Sequence, residues 1–584
     1  MNELLTLNPA QQAAVQHPGG PLLVIAGAGS GKTRVLTARV AWLLEHGEPA
    51  ESLVAFTFTN RAAREMRERI ARQVGDAAAA LWVGTFHATG VRLLRREAKA
   101  LGVPRDFSIY DREDQEAVVA DVLRRLELRE DTYRPAAVLA KISDAKNALV
   151  SPDQMARAAV APSAQRIAEC YALYQRALLE AGALDFDDLI TETVRLLIDR
   201  PEIGERYARR FRHVLVDEYQ DTNHAQFLLV RALGAHHRNV FAVGDDDQSI
   251  YGWRGASLAN LLEFETAFPG AQVVRLEQNY RSTSNILLAA NAVIAHNRSR
   301  RGKTLWCERE SGERLRFWLE SDEVGEAGRV RGLLQDHLRR GGSLADCAVL
   351  YRTNAQSRAL ETELRQARLP YEIVGGLSFF QRREVKDLLA YLRLALNPND
   401  AVAFWRVWNT PRRGLGPGVR AQLEERLARG GASPRDALAE RLAGGSLARP
   451  AQAGATALLE LLDELRARQA EPLDVLFALV LERTRYLDAL EGQEDAAERR
   501  ANVQELGAAA VAFAAEGRGG LAEFLAETAL VSEVDQMSEA ADRVRLLTAH
   551  NAKGLEFGTV VVTGMEEGHF PHASGLDDAA QLEE

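Results

Sequence analysis

A glycine-rich loop near the start of the chain limits its fold more than any other feature. The loop lies between an apolar run at residues 21–25 and a helical pattern at residues 35–44, and it comprises Ala26, Gly27, Ala28, Gly29, Ser30, Gly31, Lys32 and Thr33. This order of strand, loop and helix is the context that a phosphate-binding P-loop requires. Backbone N–H groups of such a loop converge on phosphate oxygens, the lysine reaches the β and γ phosphates, and the threonine hydroxyl can bind Mg²⁺. The motif predicts a site for a nucleoside triphosphate, although Ala26 stands where the strict pattern has glycine.

Two acidic residues follow a second apolar run, at residues 213–216. A buried strand there would deliver the carboxylates of Asp217 and Glu218 to its carboxyl end. Asp217 is predicted to bind within the coordination shell of Mg²⁺, and Glu218 to orient or deprotonate the attacking water. Acidic residues are also common at the start of loops, so this pattern alone is not specific. It indicates a metal and water site because it occurs together with the P-loop. Together the two motifs predict Mg²⁺-dependent nucleotide hydrolysis.

Strand patterns that alternate with helical patterns indicate the fold class. Apolar runs that end in polar residues are typical of parallel sheets with a ligand at the carboxyl ends, and they occur at residues 21–25, 53–58, 213–216 and 240–243. The strand pattern disappears from about residue 106 to 201, where helical patterns take over. Further strand patterns occur at residues 314–318, 347–351, 371–374, 544–548 and 559–563. We therefore expect an α/β protein with two parallel-sheet domains, each interrupted by a mainly helical insertion.

The same pattern sets the expected domain boundaries. The first α/β domain is predicted at residues 1–108 and 200–283, with its insertion at 109–199. The second is predicted at residues 284–375 and 543–584, with its insertion at 376–542.

Composition excludes several other classes of protein. The chain has 584 residues, of which 46% are apolar and 26% are charged. This composition is typical of a globular protein and not of a disordered or low-complexity one. Three widely spaced cysteines, Cys170, Cys307 and Cys347, suit neither a disulfide framework nor a zinc cluster and favour a reducing compartment. No apolar run approaches the roughly 18–20 residues that span a bilayer, so we expect a cytoplasmic protein without membrane contact. A net charge of −10 argues against a uniformly basic surface but allows a local basic groove.

A third loop combines groups suited to phosphate with groups suited to nucleic acid. Gln248, whose amide could sense a terminal phosphate, lies within six residues of Tyr251, Trp253 and Arg254. Aromatic rings can stack on bases and an arginine can bind the phosphate backbone. The aromatic residues could equally belong to a core. If they bind a single strand, this spacing would couple hydrolysis to that binding.

These motifs and several others resemble those of superfamily 1A DNA helicases of the UvrD, Rep and PcrA kind. The matching segments occur in family order, at residues 26–33, 57–60, 84–87, 216–221, 244–254, 278–283, 351–354 and 553–557. They extend across nearly the whole chain. The resemblance implies two RecA-like motor domains that bind ATP between them.

Residue roles at the nucleotide are carried over from this resemblance. Gln11 matches the glutamine that reads the adenine edge, and its amide can both donate and accept hydrogen bonds. Arg34 and Tyr280 match the pair that encloses the base, and Glu556 matches a ribose contact. Arg281 matches an arginine that reaches the γ-phosphate, so that the implied catalytic set is Glu218, Lys32, Gln248 and Arg281.

The resemblance also implies a track for single-stranded DNA. Its candidates are side chains able to stack on bases or contact the DNA backbone, namely Phe58, Asn60, Thr85, Phe86, His87, Tyr251, Trp253, Arg254, Arg352, Asn354 and His550. His87 and His550 could instead be structural histidines. Gly414 and Gly416 resemble an element that approaches duplex phosphates, although Pro417 removes one N–H donor and an ordinary turn between helices fits as well.

Two departures from the family pattern affect the expected activity. Asn551 stands where the family usually has a small residue. The chain ends at Glu584, where family members begin a motif that supplies a second phosphate-sensing arginine, so we expect a C-terminally shortened protein with impaired turnover.

The resemblance implies an ATP- and Mg²⁺-dependent motor that moves 3′ to 5′ on single-stranded DNA and unwinds duplex DNA. Single-strand/duplex junctions would be its substrates, and repair or replication proteins its partners. One alternative is a nucleotide-gated module that binds single-stranded DNA or displaces proteins without unwinding. Another is a P-loop kinase for a small molecule, which would need no second α/β domain.

Overall fold

Two large parallel β-sheets, a two-stranded parallel sheet and many helices occur among the described residues. The computed structural model describes residues 6–375, 379–428, 432–493, 495–517, 519–531, 542–576 and 578–584. Two compact units can be separated, the first being Met1–Phe86, Leu197–Ser378 and Ser532–Glu584, and the second His87–Leu196 and Phe379–Val531. The first unit contains both large sheets, and the second contains most of the two segments expected as helical insertions.

The strands among the described residues are short. They are β1 (Leu22–Ala26), β2 (Leu53–Thr57), β3 (Trp82–Thr85), β4 (Ser108–Tyr110), β5 (Ala183–Asp185), β6 (His213–Val216), β7 (Val240–Gly244), β8 (Gln272–Leu276), β9 (Cys347–Tyr351), β10 (Tyr371–Val374), β11 (Val544–Thr548) and β12 (Thr559–Val562).

Helices surround and connect these strands. They are α1 (Pro9–Val15), α2 (Lys32–Glu45), α3 (Asn60–Val74), α4 (Phe86–Arg96), α5 (Ala98–Leu101), α6 (Arg112–Arg125), α7 (Pro135–Asn147), α8 (Pro152–Ala158), α9 (Pro162–Glu180), α10 (Phe186–Asp199), α11 (Pro201–Arg210), α12 (His224–Leu233), α13 (Ala259–Leu262), α14 (Phe264–Ala267), α15 (Ser284–Ile294), α16 (Glu323–Arg339), α17 (Ser357–Gln366), α18 (Arg383–Leu396), α19 (Ala401–Val407), α20 (Pro417–Ala428), α21 (Pro434–Ala443), α22 (Arg449–Ala467), α23 (Leu473–Thr484), α24 (Ala496–Ala515), α25 (Leu521–Leu530) and α26 (Ala579–Glu583).

The larger sheet has six strands in the order β3-β2-β6-β7-β1-β8, and every pair in it is parallel. Ile25 lies opposite Gly244, and Ala26 lies opposite Leu276. Because all carboxyl ends share one edge, the loops after β1, β6, β7 and β8 lie side by side there. The four central strands β1, β2, β6 and β7 are buried along their whole length, as their continuous apolar sequences predict.

The smaller sheet also belongs to the first unit. Its four parallel strands have the order β10-β11-β9-β12. Its core includes Val330, Leu334, Val349, Leu360 and Leu546, which come from the strands and from α16 and α17. Two parallel sheets with helical segments between their strands confirm the predicted fold class.

Some strand predictions were wrong. Residues 314–318 form no strand, and Phe317 is 83% exposed, because no described neighbour pairs with the segment's backbone. Strands β4 and β5 occur inside a segment expected to lack strands, where three residues each are too short to give a pattern. Strands β3 and β8 were missed because Gly84 in one and Gln272 and Arg275 in the other interrupt the apolar run.

The second unit is mainly helical. Its two strands, β4 and β5, pair in parallel, and its largest core surrounds α18, whose residues are almost all buried. Arg393 of this helix forms ion pairs with Asp114 at 2.7 Å and with Asp400 at 2.8 Å, and Tyr110 donates to Asp400 at 3.0 Å. Residues from both helical segments therefore share one buried polar network. None of the helices in the described ranges combines the length and apolar character needed to cross a membrane.

Candidate active site

The glycine-rich loop runs from the end of β1 to the start of α2 with a tight backbone path. Gly29 and Gly31 have φ values of 63° and 87°, in the left-handed region that glycine tolerates best. A Cβ atom on Gly29 would lie 2.6 Å from Nδ2 of Asn279. Ser30 Oγ donates to the carbonyl of Gly27 at 2.7 Å. Glycine lets the loop follow this path without the strain that a side chain would add.

The loop after β8 holds the P-loop from one side. Asn279 Nδ2 donates to the carbonyl of Ala28 at 2.6 Å, and the backbone N–H of Tyr280 donates to the carbonyl of Gly29 at 2.9 Å. Asn279 Oδ1 accepts from the backbone N–H of Arg281 at 2.9 Å. The structure therefore brings the segment of Tyr280 and Arg281 against the predicted phosphate loop, which belongs to a different motif.

Lys32 lies in a pocket of carboxylates but makes one long ion pair. Its Nζ is 3.5 Å from Oδ2 of Asp245. Burial would lower the pKa of Lys32, but the charges of Glu218, Asp245 and Asp217 outweigh burial and raise it. The ammonium is thus fully charged and not tightly held, which suits a group that must bind phosphate.

Thr33 and Asp217 form the oxygen pair expected for a metal. Thr33 Oγ1 donates to Asp217 Oδ2 at 3.1 Å. Burial and the neighbouring Glu218 raise the pKa of Asp217 to about 7. A buried carboxylate beside a hydroxyl and a second carboxylate is an environment that a hard divalent cation would stabilise, so these residues fit Mg²⁺.

Glu218 is held at the start of its loop in a strained conformation. Its φ is 50°, which is unusual for a residue with a side chain. Gln220 Nε2 donates to Glu218 Oε2 at 2.6 Å, and Gln220 Oε1 accepts from the backbone N–H of Asp245 at 2.9 Å. Burial would raise the pKa of Glu218, but Lys32 and Lys553 outweigh it and lower the pKa. The carboxylate is therefore ionised and can accept a proton.

The loop after β7 carries three consecutive aspartates that surround a buried lysine. Lys303 Nζ lies 2.7 Å from Asp245 Oδ1 and 2.8 Å from Asp247 Oδ2, and it also contacts Asp246. The three carboxylates are close enough together to hold a metal ion, but the ammonium lies among them instead. Gln248 Nε2 donates to Asp245. Sequence reasoning missed Lys303, and three acids in succession at a buried strand end were the available signal.

Contacts from the smaller sheet reach this site. Arg281 Nε donates to Glu556 Oε2 at 2.7 Å, so two residues predicted at the nucleotide bind each other. Lys553 Nζ lies 2.5 Å from Asp221 Oδ2 and also donates to the carbonyl of Gln248. Sequence reasoning gave no role to Lys553, although it lies in a matching segment.

The residues predicted at the base lie beside the P-loop. Gln11 is buried, and its Nε2 donates to the carbonyl of Ser30 at 2.9 Å. Tyr280 is 43% exposed, and its hydroxyl accepts from Asn8 Nδ2 at 2.9 Å. Arg34 donates to Thr6. Gln11, Arg34 and Tyr280 therefore lie near the loop.

Four aromatic rings from three segments of the chain form a continuous group. Phe58 and Tyr251 are stacked, with ring centroids 5.2 Å apart. His550 lies 6.2 Å from Tyr251 and 6.0 Å from Trp253. Trp253 is 62% exposed. We call Phe58, Tyr251, Trp253 and His550 the aromatic group.

Of the polar candidates for the DNA track, Arg352 contacts this group. Arg352 Nη1 is 3.3 Å from His550 Nδ1, and Asn354 Nδ2 donates to the carbonyl of Gly375 at 2.9 Å. Asn60 begins α3. Asn551, the departure from the family pattern, donates from Nδ2 to the carbonyl of Val374 at 3.4 Å. The side chain of Arg254 lies outside the described residues.

Phe86 does not join the aromatic group. Its ring is 2% exposed and stacks on Phe56, with centroids 4.5 Å apart, and Thr85 beside it is buried as well. Because a fully packed ring offers no face to a base, the expectation for Phe86 is corrected to core packing.

Three predicted residues belong to the second unit. The ring of His87 lies edge-on to Phe186, with centroids 6.0 Å apart. Gly414 has a φ of 78°, and a Cβ there would lie 3.1 Å from the carbonyl oxygen of Pro450. A Cβ on Gly416 would meet open space. The backbone conformation at residue 414 therefore requires glycine, whereas the space around Gly416 would admit a side chain.

Comparisons with known proteins agree with this geometry. The UvrD/REP helicase N-terminal domain matches residues 7–269, and the UvrD-like helicase C-terminal domain matches residues 274–439 and 454–584. The ATP-dependent DNA helicase PcrA of Bacillus subtilis (strain 168) is 42% identical over 596 aligned positions, covering 100% of this chain and 80% of that protein. The ATP-dependent DNA helicase UvrD1 of Mycobacterium tuberculosis (strain ATCC 25618 / H37Rv) is 44% identical over 612 positions, covering 99% of this chain and 79% of that protein. Since both halves of the chain match this family and its relatives align along the whole length, the chain belongs to the UvrD/Rep family of superfamily 1A ATP-dependent DNA helicases.

Proposed function

We propose that this helicase moves 3′ to 5′ along single-stranded DNA and unwinds duplex DNA, using Mg²⁺ and ATP, in DNA repair or replication restart in the cytoplasm. One observation carries the motor assignment. The loop after β7 holds Gln248 in the carboxylate network of Lys32, and three residues later it contributes Tyr251 to the aromatic group. A change at the nucleotide can therefore reach the DNA track through a few covalent bonds.

Two residues, Lys32 and Arg281, would bring positive charge to the phosphates. Lys32 would leave its 3.5 Å contact with Asp245 for the β and γ phosphates. Arg281 would exchange Glu556 for the γ-phosphate, since both partners are partly exposed and the pair is not locked by burial. Gln248 would sense the same phosphate.

Glu218 is the proposed base. It is ionised, and the hydrogen bond from Gln220 fixes its orientation. A positioned carboxylate can accept a proton from the attacking water and contributes typically about 10²–10⁴-fold to such reactions.

Thr33 and Asp217 would hold the Mg²⁺ ion, which neutralises charge on the β and γ phosphates. Gln11 would read the adenine edge, Arg34 and Tyr280 would enclose the base, and Glu556 would contact the ribose. These assignments extend the family motifs to this chain residue by residue.

The aromatic group would stack on successive bases, assisted by Arg352, Asn354 and Asn60. Stacking is worth roughly 1–3 kcal/mol per base and does not depend on base identity, which suits a motor that must pass any sequence. Arg254 is proposed to extend the track. In the second unit, His87 is proposed to contact single-stranded DNA, and Gly414 and Gly416 to approach duplex phosphates.

ATP hydrolysis with and without a single-stranded oligonucleotide tests the proposal. We expect DNA to stimulate hydrolysis, and Glu218→Gln to reduce kcat by at least about 10²-fold. Glu202→Gln, at an exposed position of α11, is the matched control and should leave kcat unchanged. Unwinding of a duplex with a 3′ tail, but not of one with a 5′ tail, would support the direction.

The alternative is a nucleotide-gated module that binds single-stranded DNA or displaces proteins. ATP-sensitive binding of DNA without strand separation from either tailed duplex would favour it. Absence of both DNA binding and turnover would contradict the assignment of the aromatic group.

A further inference from the structure

Lys303 is a buried cation that the proposed chemistry leaves without a role. Its ammonium contacts the carboxylates of Asp245, Asp246 and Asp247 and is shielded from solvent. Burial would lower the pKa of Lys303, but the aspartates, Asp245 first, outweigh it and raise the pKa. The lysine is therefore charged and fully paired.

The residues around Lys303 bind the same loop. Arg300 makes two hydrogen bonds to Asp247, from Nε at 2.9 Å and from Nη2 at 2.7 Å. The backbone N–H of Arg301 donates to Asp246 Oδ2 at 2.6 Å. Every aspartate of the loop thus has a partner in residues 300–303.

The same segment continues to the other phosphate-site loops. Trp306 exchanges backbone hydrogen bonds with the loop after β8, accepting from Asn279 at 2.7 Å and donating to Glu277 at 3.1 Å. Leu305 packs against Gly27, where a Cβ atom would lie 2.0 Å from its Cδ2. Residues 300–306 therefore contact the loops after β1, β7 and β8 at once.

Asp245 is shared unequally between two lysines. Its Oδ1 lies 2.7 Å from Lys303, whereas its Oδ2 lies 3.5 Å from Lys32. Burial would raise the pKa of Asp245, but Lys32 and Lys303 outweigh it and lower the pKa, so the carboxylate is ionised. A buried carboxylate needs a compensating charge, and its nearer partner supplies that charge without Lys32.

We propose that Lys303 is a positioning residue of the ATPase site, which compensates Asp245 so that Lys32 is released to bind the nucleotide phosphates. The inference rests on the proposed function in one respect, namely that Lys32 binds phosphate. Without Lys303, Lys32 becomes the nearest cation to Asp245, and nucleotide must compete with that carboxylate for it.

The test compares nucleotide affinity in wild-type protein, Lys303→Met and Lys303→Arg. Equilibrium binding of a fluorescent ATP analogue gives Kd without turnover, and steady-state hydrolysis gives KM and kcat. We expect Lys303→Met to raise Kd and KM by about tenfold or more, and kcat to change less. Lys303→Arg keeps the charge and should recover most of the affinity. Lys99→Met, at an exposed position of the second unit, is the control.

A double-mutant cycle separates positioning from folding. If Lys303 acts through Asp245, Lys303→Met should change Kd by less than about twofold in an Asp245→Asn background. An equal effect in both backgrounds, or a loss of stability with unchanged Kd, would overturn the proposal. If Lys303→Met does not fold, the double variant Asp246→Asn/Lys303→Gln removes one charge of each sign and should show the same rise in Kd. Wild-type protein that binds no ATP analogue would instead contradict the proposed function.

Discussion

Two lysines surrounded by carboxylates, one in each unit, differ in the geometry of their ion pairs: Lys146 is buried and Lys32 is partly buried. Lys146 of the second unit lies 2.6 Å from Asp185 and 2.7 Å from Asp188. Lys32 of the first unit has its nearest carboxylate, Asp245, at 3.5 Å. For both lysines, burial would lower the pKa and neighbouring carboxylates outweigh it. Both lysines are therefore charged, and they differ in the distance to their nearest carboxylates.

The difference shows which buried charges stabilise the fold and which are available for binding. The carboxylates around Lys146 are also bound by Tyr174, which donates to Asp185 at 2.8 Å, and by Gln175, which donates to Asp188 at 3.3 Å. The ammonium and the carboxylates of that network are therefore bound to one another and to neighbouring side chains. Lys32 instead has donors left over for a ligand. A buried charge with incomplete pairing costs stability unless something binds it, and this is why such groups indicate function.

The largest expected effect is on stability, in the second unit. Lys146→Met would leave Asp185 and Asp188 buried without their cation, and should lower the free energy of unfolding by about 3–5 kcal/mol. Urea denaturation followed by circular dichroism measures this. Lys141→Met, on the exposed face of the same helix α7, is the control. An unchanged midpoint for Lys146→Met would remove the distinction between the two lysines.

Lys32→Met should reduce activity and leave stability nearly unchanged, in contrast to Lys146→Met. We expect kcat for ATP hydrolysis to fall by about 10²–10³-fold, the loss typical when one preorganised donor to a developing charge is removed. The unfolding midpoint should move little, because Lys303 still compensates Asp245 at 2.7 Å. Measuring both quantities on one preparation is decisive, since a large fall in stability would class Lys32 with Lys146.

The aromatic rings offer a second comparison of site and core. Trp253→Ala should weaken binding of single-stranded DNA by roughly 1–3 kcal/mol, because one stacking surface is lost, and leave stability unchanged. Phe86→Ala should instead destabilise the fold by about 3–5 kcal/mol, because a buried ring is removed. Fluorescence anisotropy with a labelled oligonucleotide, together with thermal unfolding, separates the two. Equal DNA affinity for Trp253→Ala and wild-type protein would contradict the stacking role.

The smallest expected effect concerns pH. Asp217 has a pKa of about 7, raised by burial and by Glu218, and it must lose its proton to bind a cation. Mg²⁺ affinity should therefore rise with pH up to about 7 and level off above it, by about tenfold per pH unit on the rising part. Isothermal titration at several pH values measures this. Asp217→Asn should show weak, pH-independent binding, and the same pH slope in that variant would exclude Asp217 as the titrating ligand.

Much of the motor fold was predictable because its central strands are buried on both faces. Strands β1, β2, β6 and β7 appear in the sequence as continuous apolar runs, and the motifs of Lys32, Asp217 and Gln248 follow β1, β6 and β7. Strands β3 and β8 were not predictable in this way, because edge strands carry polar and glycine residues. Residues 314–318 have the alternation of a strand but no described pairing partner, and a strand depends on hydrogen bonds that its own sequence does not supply.

The candidate site shows the same division. The P-loop, Asp217 and Glu218 follow from local motifs, since each motif encodes a strand end and the polar residues after it. Lys303 could not be predicted from spacing, because it reaches Asp245 from 58 residues further along the chain. Phe86 was assigned to the DNA track by its motif, but only packing against Phe56 decides where its ring points.

By itself the sequence determined the class of chemistry, because phosphate binding needs a local order of strand, glycine loop and lysine that leaves a contiguous pattern. It also determined the two parallel sheets, since strands buried on both faces must be apolar throughout. Only the tertiary structure decided which buried charges are paired with each other and which remain available. Pairing depends on distances of a few ångströms between residues far apart in the chain, and Coulomb energy in a buried site changes steeply over that range.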